Sequence, residues 1–260
     1  MNLKVPILEF DATKKAIIEP AETTKAIDAP EYCVLCFFQD VLAKLAQEIP
    51  FRRIARQRSE LTTHPLWEFA YNGKRIAALH PGIGDAYAAA MFEEIIARGC
   101  RKFIVCGSSG VLDDEIAMGH VLVPVSAVRD DGASYHYLPP SREVEAHPAA
   151  VVAIEKVLSR NKIPFIRTKT WTTSGLYRET RQRMEARKNE GCLTVEMEAA
   201  ALFAVAEFRN VPLGQILYGG DSLGGAEWDS RGFTKDISIR EKLFWLAAEA
   251  CIEIENNIKK

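Results

Sequence analysis

The chain has 260 residues, 48% hydrophobic and 26% charged, a globular composition that excludes a disordered or fibrous polypeptide. Its 33 Lys and Arg against 35 Asp and Glu leave a formal charge of −2, so no basic field draws a nucleic-acid partner. Apolar runs fall short of the ~20 residues that cross a bilayer, and the first twenty residues lack a secretory pattern; a cytoplasmic protein with no membrane partner is expected. One α/β domain is expected over 1–260, with 1–30 as an N-terminal extension.

In chain order, apolar β-rich runs predict strands at 32–38, 67–71, 75–80, 102–106, 120–128, 164–171, 193–195 and 213–218. Helical patterns fall between them at 40–48, 85–98, 149–161, 180–189, 196–209 and 237–258. Asp85 is read as an N-cap, Gly99 as a C-cap, and Asn210 with Pro212 as a stop. The alternation implies a central mixed, mostly parallel sheet flanked by helices. The six cysteines lie mostly in apolar segments and are expected to be reduced; Cys33 and Cys36 form a C-x-x-C without the second pair a zinc site needs, so core packing is favoured and no metal is expected. Residues 129–148 are the longest irregular stretch, either a flap over a site or a surface connection carrying a hairpin.

Ligands of open α/β sheets bind beyond the carboxyl ends of strands, and four segments follow predicted strands. Gly82, Ile83 and Gly84 precede a helix, where backbone amides approach an anion or a sugar hydroxyl, or simply make a tight turn. Gly107, Ser108, Ser109 and Gly110 can form an amide nest for phosphate or a ribose oxygen; the Lys of a nucleotide-triphosphate loop is missing. Glu196 and Glu198 interrupt an apolar strand-to-helix junction, either as first-turn acids or as acceptors for a sugar diol. Asp221 sits among Gly219, Gly220, Gly224 and Gly225, as a general acid or a turn aspartate.

Together these segments resemble the superfamily of nucleoside phosphorylases and nucleosidases. The stretch from Val195 to Ala201 carries the most specific likeness, supported by Gly82 to Gly84, Gly107 to Gly110, Gly119 to Pro124, Val128 to Ser134 and Thr172 to Thr180. The resemblance implies cleavage of an N-glycosidic bond without a cofactor, inorganic phosphate being the co-substrate of a phosphorylase. It implies that Glu196, Met197, Glu198 and Gly84 bind ribose, that Glu198 and Asp221 are catalytic, and that Gly107, Ser108 and Ser109 meet phosphate. Thr173, Tyr177 and Arg178 fall in the stretch that contacts the base, and a homo-oligomer, dimer or trimer of dimers, is implied.

Two departures from the family pattern stand out. The Gly-Asp-Pro-x-Arg loop of the phosphorylases is replaced by Phe37, Phe38, Gln39, Asp40 and Val41, and the arginine before the second glycine loop is Val105. Arg52, Arg53, Arg56 and Arg58 are the candidates to replace the lost guanidinium groups, in this site or in a neighbouring subunit's site. In the nucleosidases a carboxylate near the end of the first strand activates water, and Asp40 lies close to that position. A phosphorylase is the first expectation, with a nucleoside hydrolase or a catalytically silent nucleoside-binding protein as alternatives.

Overall fold

The computed structural model describes residues 5–60 and 62–254. Its ten strands are β1 (Tyr32–Cys36), β2 (Arg52–Arg58), β3 (Thr63–Tyr71), β4 (Lys74–Leu79), β5 (Lys102–Val111), β6 (Val121–Asp130), β7 (Glu143–Glu145), β8 (Phe165–Thr173), β9 (Cys192–Glu196) and β10 (Leu213–Ser222). The helices are α1 (Pro20–Thr23), α2 (Gln39–Glu48), α3 (Asp85–Arg98), α4 (Pro148–Arg160), α5 (Arg181–Asn189), α6 (Ala199–Arg209) and α7 (Ile237–Glu253). The predicted end of the last helix, 255–258, lies outside the described residues.

All ten strands belong to one sheet, and β5 is its axis. It pairs in parallel with β10 and with β1, the latter through Cys106, and takes β9 antiparallel from Gly110 onward. The pairings β10 to β6, β6 to β8 and β8 to β9 then close a ring of five strands. On the other side, β1, β4, β3 and β2 extend as a wing. Antiparallel pairings are as numerous as parallel ones among the described residues, a more mixed sheet than the alternation suggested. The excess comes from the β2–β3–β4 meander, whose last turn holds Asn72 and Gly73 at positive φ as a tight hairpin requires, and from ring closure.

Helices cover both faces: α3 packs with α6, while α2 and α4 pack with α7. Helix α6 is buried continuously from Ala199 to Ala206, as an all-apolar helix must be. The six cysteines are unbridged and buried, Cys33 and Cys36 inside β1. The N-terminal extension lies across the ends of the helices, with Ile27 N–H donating to the Arg98 carbonyl at 3.1 Å and Glu19 paired with Arg209 at 3.4 Å.

One expectation is corrected, and of the two readings of 129–148 the connection carrying a hairpin fits the pairing of β7 with β6. Asp85 does not cap α3; Gly84 is the N-cap, and the Asp85 carboxylate reaches sideways to accept from the amides of Gly132 and Ala133 at 3.0 and 2.9 Å and from Ser174 Oγ at 3.0 Å. Residues 129–148 are not an open flap. Arg129, 4% exposed, donates to Ser134 and Ser141 hydroxyls and to the carbonyls of Leu138 and Pro139 at 2.6–3.1 Å, and β7 then pairs back onto β6. Arg129→Ala should therefore cost about 1–3 kcal/mol, the toll of stranding buried acceptors, and admit protease within 131–142. An unchanged urea midpoint with unchanged digestion would contradict this.

Candidate active site

The carboxyl ends of β1, β4, β5 and β10 lie side by side, and the end of β9 meets β5 at Gly110 with β8 paired along its other edge. Glu196, the last residue of β9, is enclosed by four donors. Its Oε1 accepts from the hydroxyls of Thr172 at 2.6 Å and Thr170 at 3.5 Å, and its Oε2 from the amides of Glu198 and Ala199 at 2.8 and 2.6 Å. The expectation that Glu196 binds ribose is corrected: its acceptor positions are spent on β8 and on the start of α6. The helix accordingly begins at Ala199 rather than at Glu196.

Glu198 is 7% exposed, and its Oε1 accepts from Gly84 N–H at 2.6 Å. Gly84 thus holds the carboxyl rather than a sugar, from a backbone at φ +92° that suits glycine. Gly82 is equally constrained: at φ +86°, a Cβ there would stand 1.9 Å from the Tyr87 ring. Its amide donates to Nδ1 of His80 at 3.0 Å, and burial, with His64 beside it, pushes the His80 imidazole down to about 4. Met197 is half-buried between the two glutamates. Burial drives the carboxyls of Glu196 and Glu198 well above the ordinary range; Glu196 adds to the rise at Glu198, while the donors around Glu196 oppose it.

Asp221 lies within β10, not in a loop after it, at a break in register between the pairings of Gly219 and Ser222 with β5. It borders Gly110, where a Cβ would stand 3.5 Å from Asp221 Oδ1 and 2.7 Å from Leu223. The Trp228 indole N–H donates to Asp221 Oδ2 at 2.7 Å. Beyond it opens a cavity of about 820 Å³ lined by residues that include Tyr177, Glu179, Met184, Asp221, Trp228 and Phe233. Tyr177 lines it as the sequence suggested, but Arg178 and Thr173 do not. Arg178 folds over Gly175, and the buried Thr173 accepts the Gly175 amide at 3.1 Å. Glu179 and Trp228 were missed; the alternation of side chains through the short 3₁₀ turn Leu176–Arg178 was the available signal for Glu179.

The predicted phosphate nest is also changed. Gly107, Ser108 and Ser109 are strand residues opposite Leu217, Tyr218 and Gly219, so their backbone is extended and forms no anion nest. What remains is hydroxyl chemistry: Ser109 Oγ is buried without a partner among the described residues, and Ser108 meets the Tyr218 hydroxyl. Arg52, Arg53, Arg56 and Arg58 are exposed on β2, the outermost strand. The guanidinium acting on Tyr218 comes instead from α7. Arg240 stacks 4.8 Å from the Phe38 ring centre, pairs with Asp40 Oδ2 and donates to the Thr234 carbonyl at 3.3 Å. Asp40 Oδ1 is buried and without a hydrogen-bond partner among the described residues.

These clusters sit on a fold shared with known enzymes. A family model described as the phosphorylase superfamily matches residues 31–252, and the chain belongs to that family. It is similar to uridine phosphorylase from Escherichia coli strain K12, 27% identical over 171 residues covering 60% of this chain and 66% of that protein. Guanosine phosphorylase from Halorubrum lacusprofundi is 26% identical over 179 residues, 66% of this chain and 71% of the relative. The chain spans about two thirds of the length of the first curated relatives, 65% for uridine phosphorylase from Haemophilus influenzae. Among solved structures, purine nucleoside phosphorylase from Toxoplasma gondii in complex with immucillin-H superposes with a TM-score of 0.75 at 19% identity, over 86% of this chain and 91% of that one. AMP nucleosidase from Bacteroides thetaiotaomicron gives 0.72 at 21% identity, over 92% and 94%.

The buried glutamates have a thermodynamic consequence. A carboxyl whose folded pKa is raised holds its proton where the unfolded chain, at about 4.5, has lost it, so its contribution is full below that value and is lost as pH rises through the folded pKa. Unliganded stability should fall from about pH 5 toward about pH 8, and Glu198→Gln should flatten the decline. Urea midpoints across that range test this; a wild-type midpoint independent of pH would refute it.

Proposed function

We propose that this chain cleaves the N-glycosidic bond of a purine ribonucleoside, with inorganic phosphate as nucleophile and no cofactor. The observation that carries the reading is that Asp221, in the lining of the 820 Å³ cavity, borders Gly110, the β5 residue paired with Val195 of β9, three residues before Glu198, whose carboxyl the Gly84 amide fixes at 2.6 Å. The Glu198 carboxyl accepts from the ribose hydroxyls, with Met197 under the sugar. The base enters the cavity against Tyr177 and Trp228. As the C1′–N9 bond breaks, its electron pair moves into the base, and a proton from Asp221 neutralises N7. The positive charge developing on the sugar is met by Glu198, whose ionised form the ribose hydroxyls favour by donating to it, and a phosphate oxygen then bonds C1′ to give ribose 1-phosphate and free base. Carboxyl groups face the base, and the Arg181 guanidinium in the lining is spent on the carbonyls of Leu223, Gly225 and Ala226, which favours a purine over uracil.

Phosphate is supported by the phosphorylases among the curated relatives and by Arg240, whose guanidinium stands near Tyr218 and Ser108. A charge-assisted bond from Arg240 would require it to turn from Asp40. Hydrolysis is the second reading, favoured by one observation: the unpartnered Oδ1 of Asp40 is an available acceptor for a nucleophilic water. Release of base from adenosine, inosine, guanosine and uridine, with and without phosphate, separates them. Ribose 1-phosphate supports the first reading, free ribose irrespective of phosphate supports the second, and cleavage confined to uridine overturns the purine assignment. Asp221→Asn should lower kcat on purine nucleosides about 10²–10⁴-fold while changing nucleoside affinity little; turnover equal to wild type would remove Asp221 from the mechanism.

A further inference from the structure

The base cavity holds a second inward carboxyl that the mechanism above does not use. Glu179 follows the 3₁₀ turn and precedes Thr180, whose hydroxyl caps α5 by accepting from Arg183 N–H at 3.4 Å. The cap and the turn aim Glu179 into the cavity while Arg178 points out. Its carboxyl has no hydrogen-bond partner among the described residues, whereas Asp221 across the cavity keeps Oδ2 on the Trp228 indole.

The charges around Glu179 leave it uncompensated. From β10 it faces Asp221, and from the following loop Glu227 lines the same space. Arg181, on α5, also lines it, but its guanidinium is spent on the carbonyls of Leu223, Gly225 and Ala226 at 2.5–3.1 Å. Arg183, one turn on, pairs with Asp130. Tyr177, Met184 and Phe233 complete the surroundings without charge.

We propose, resting on the purine reading, that Glu179 reads position 6 of the purine: protonated, it donates to a 6-oxo group, and ionised, it accepts from a 6-amino group, while Asp221 serves N7. A 6-oxopurine presents acceptors at both O6 and N7 and wants two donors. A 6-aminopurine presents a donor at N6 and an acceptor at N7 and wants one of each. Burial, the larger cause, and Asp221 when it is ionised lift the Glu179 carboxyl to about 7; with Asp221 protonated to serve N7, burial still holds the carboxyl up, and both forms of Glu179 are populated within the pH range of the test. Base preference is then set by pH, moving from 6-oxo toward 6-amino as pH rises.

The test is the ratio of kcat/KM for adenosine to that for inosine between about pH 5.5 and about pH 8, in wild type and in Glu179→Gln. The ratio should rise about tenfold in wild type across that range and stay within about twofold in the variant, whose amide donates and accepts at every pH. Calorimetric affinities of adenine and hypoxanthine at the two extremes give the same readout without turnover and without reliance on the variant. Absence of purine cleavage with no purine-base binding would remove the underlying reading. Purine cleavage or binding with a flat wild-type ratio, or a variant keeping the full wild-type slope, would overturn the role of Glu179.

Discussion

A single buried carboxylate, that of Glu196, fixes the chemistry-bearing end of the molecule. A carboxyl in an apolar junction is costly unless its oxygens find hydrogen-bond partners, and here two strands and a helix converge to supply them. Thr172 contributes a hydroxyl to Glu196 and at the same time accepts from the Ala200 amide, so β8, β9 and α6 are tied at one point. Because two of the donors are the backbone amides of Glu198 and Ala199, the direction in which Glu198 leaves the chain follows from this knot. The Gly84 amide then meets Glu198 from the N-cap of α3, 114 residues away in sequence. Preorganisation of this kind lets a charge act without reorienting its surroundings during reaction.

Strand β5 distributes the remaining groups. By exchanging β1 for β9 along its own length it brings the tip of β1, the end of β10 and the β9–α6 junction to one edge. The electrostatics differ along that edge. At the β1 end a guanidinium and a carboxylate, Arg240 and Asp40, largely cancel, while at the β10 end acids gather around a cavity with no uncommitted guanidinium in its lining. The neutral end suits a nucleophile, and the acidic end suits a leaving group that must gain a proton.

Much of the architecture was legible in the sequence. Eight of the strands appear as β-branched apolar runs, and the caps at Gly99 and Asn210 stand where their backbone conformations demand them. Strand β2 was not legible, because Arg52 to Arg58 shows no apolar alternation and owes its form to pairing with β3. Strand ends at Gly107 and Gly219 were placed too early, since glycines that usually punctuate loops here allow close strand contact, as at Gly219, 3.0 Å from Val111 were a Cβ present. In the site, Glu198 and Asp221 were singled out by their place after strand-like runs, and Tyr177 by the family resemblance alone. Glu196 was read as a ligand group because nothing local reveals that Thr170 and Thr172 converge on it. Arg240 and Glu179 were missed for related reasons: one arrives from a helix 200 residues beyond its partner, and the other depends on the sense of a three-residue turn.

The reach of Arg181 ties the two sides of the base cavity. From the first turn of α5 it grips three carbonyls 42 to 45 residues ahead, between Leu223 and Ala226. The wall bearing Trp228 therefore has its spacing from the wall bearing Tyr177 dictated by the length of one arginine side chain. An insertion in either segment would unhook that grip, so diversification toward bulkier bases would demand paired changes in both, a coupled rather than a stepwise route.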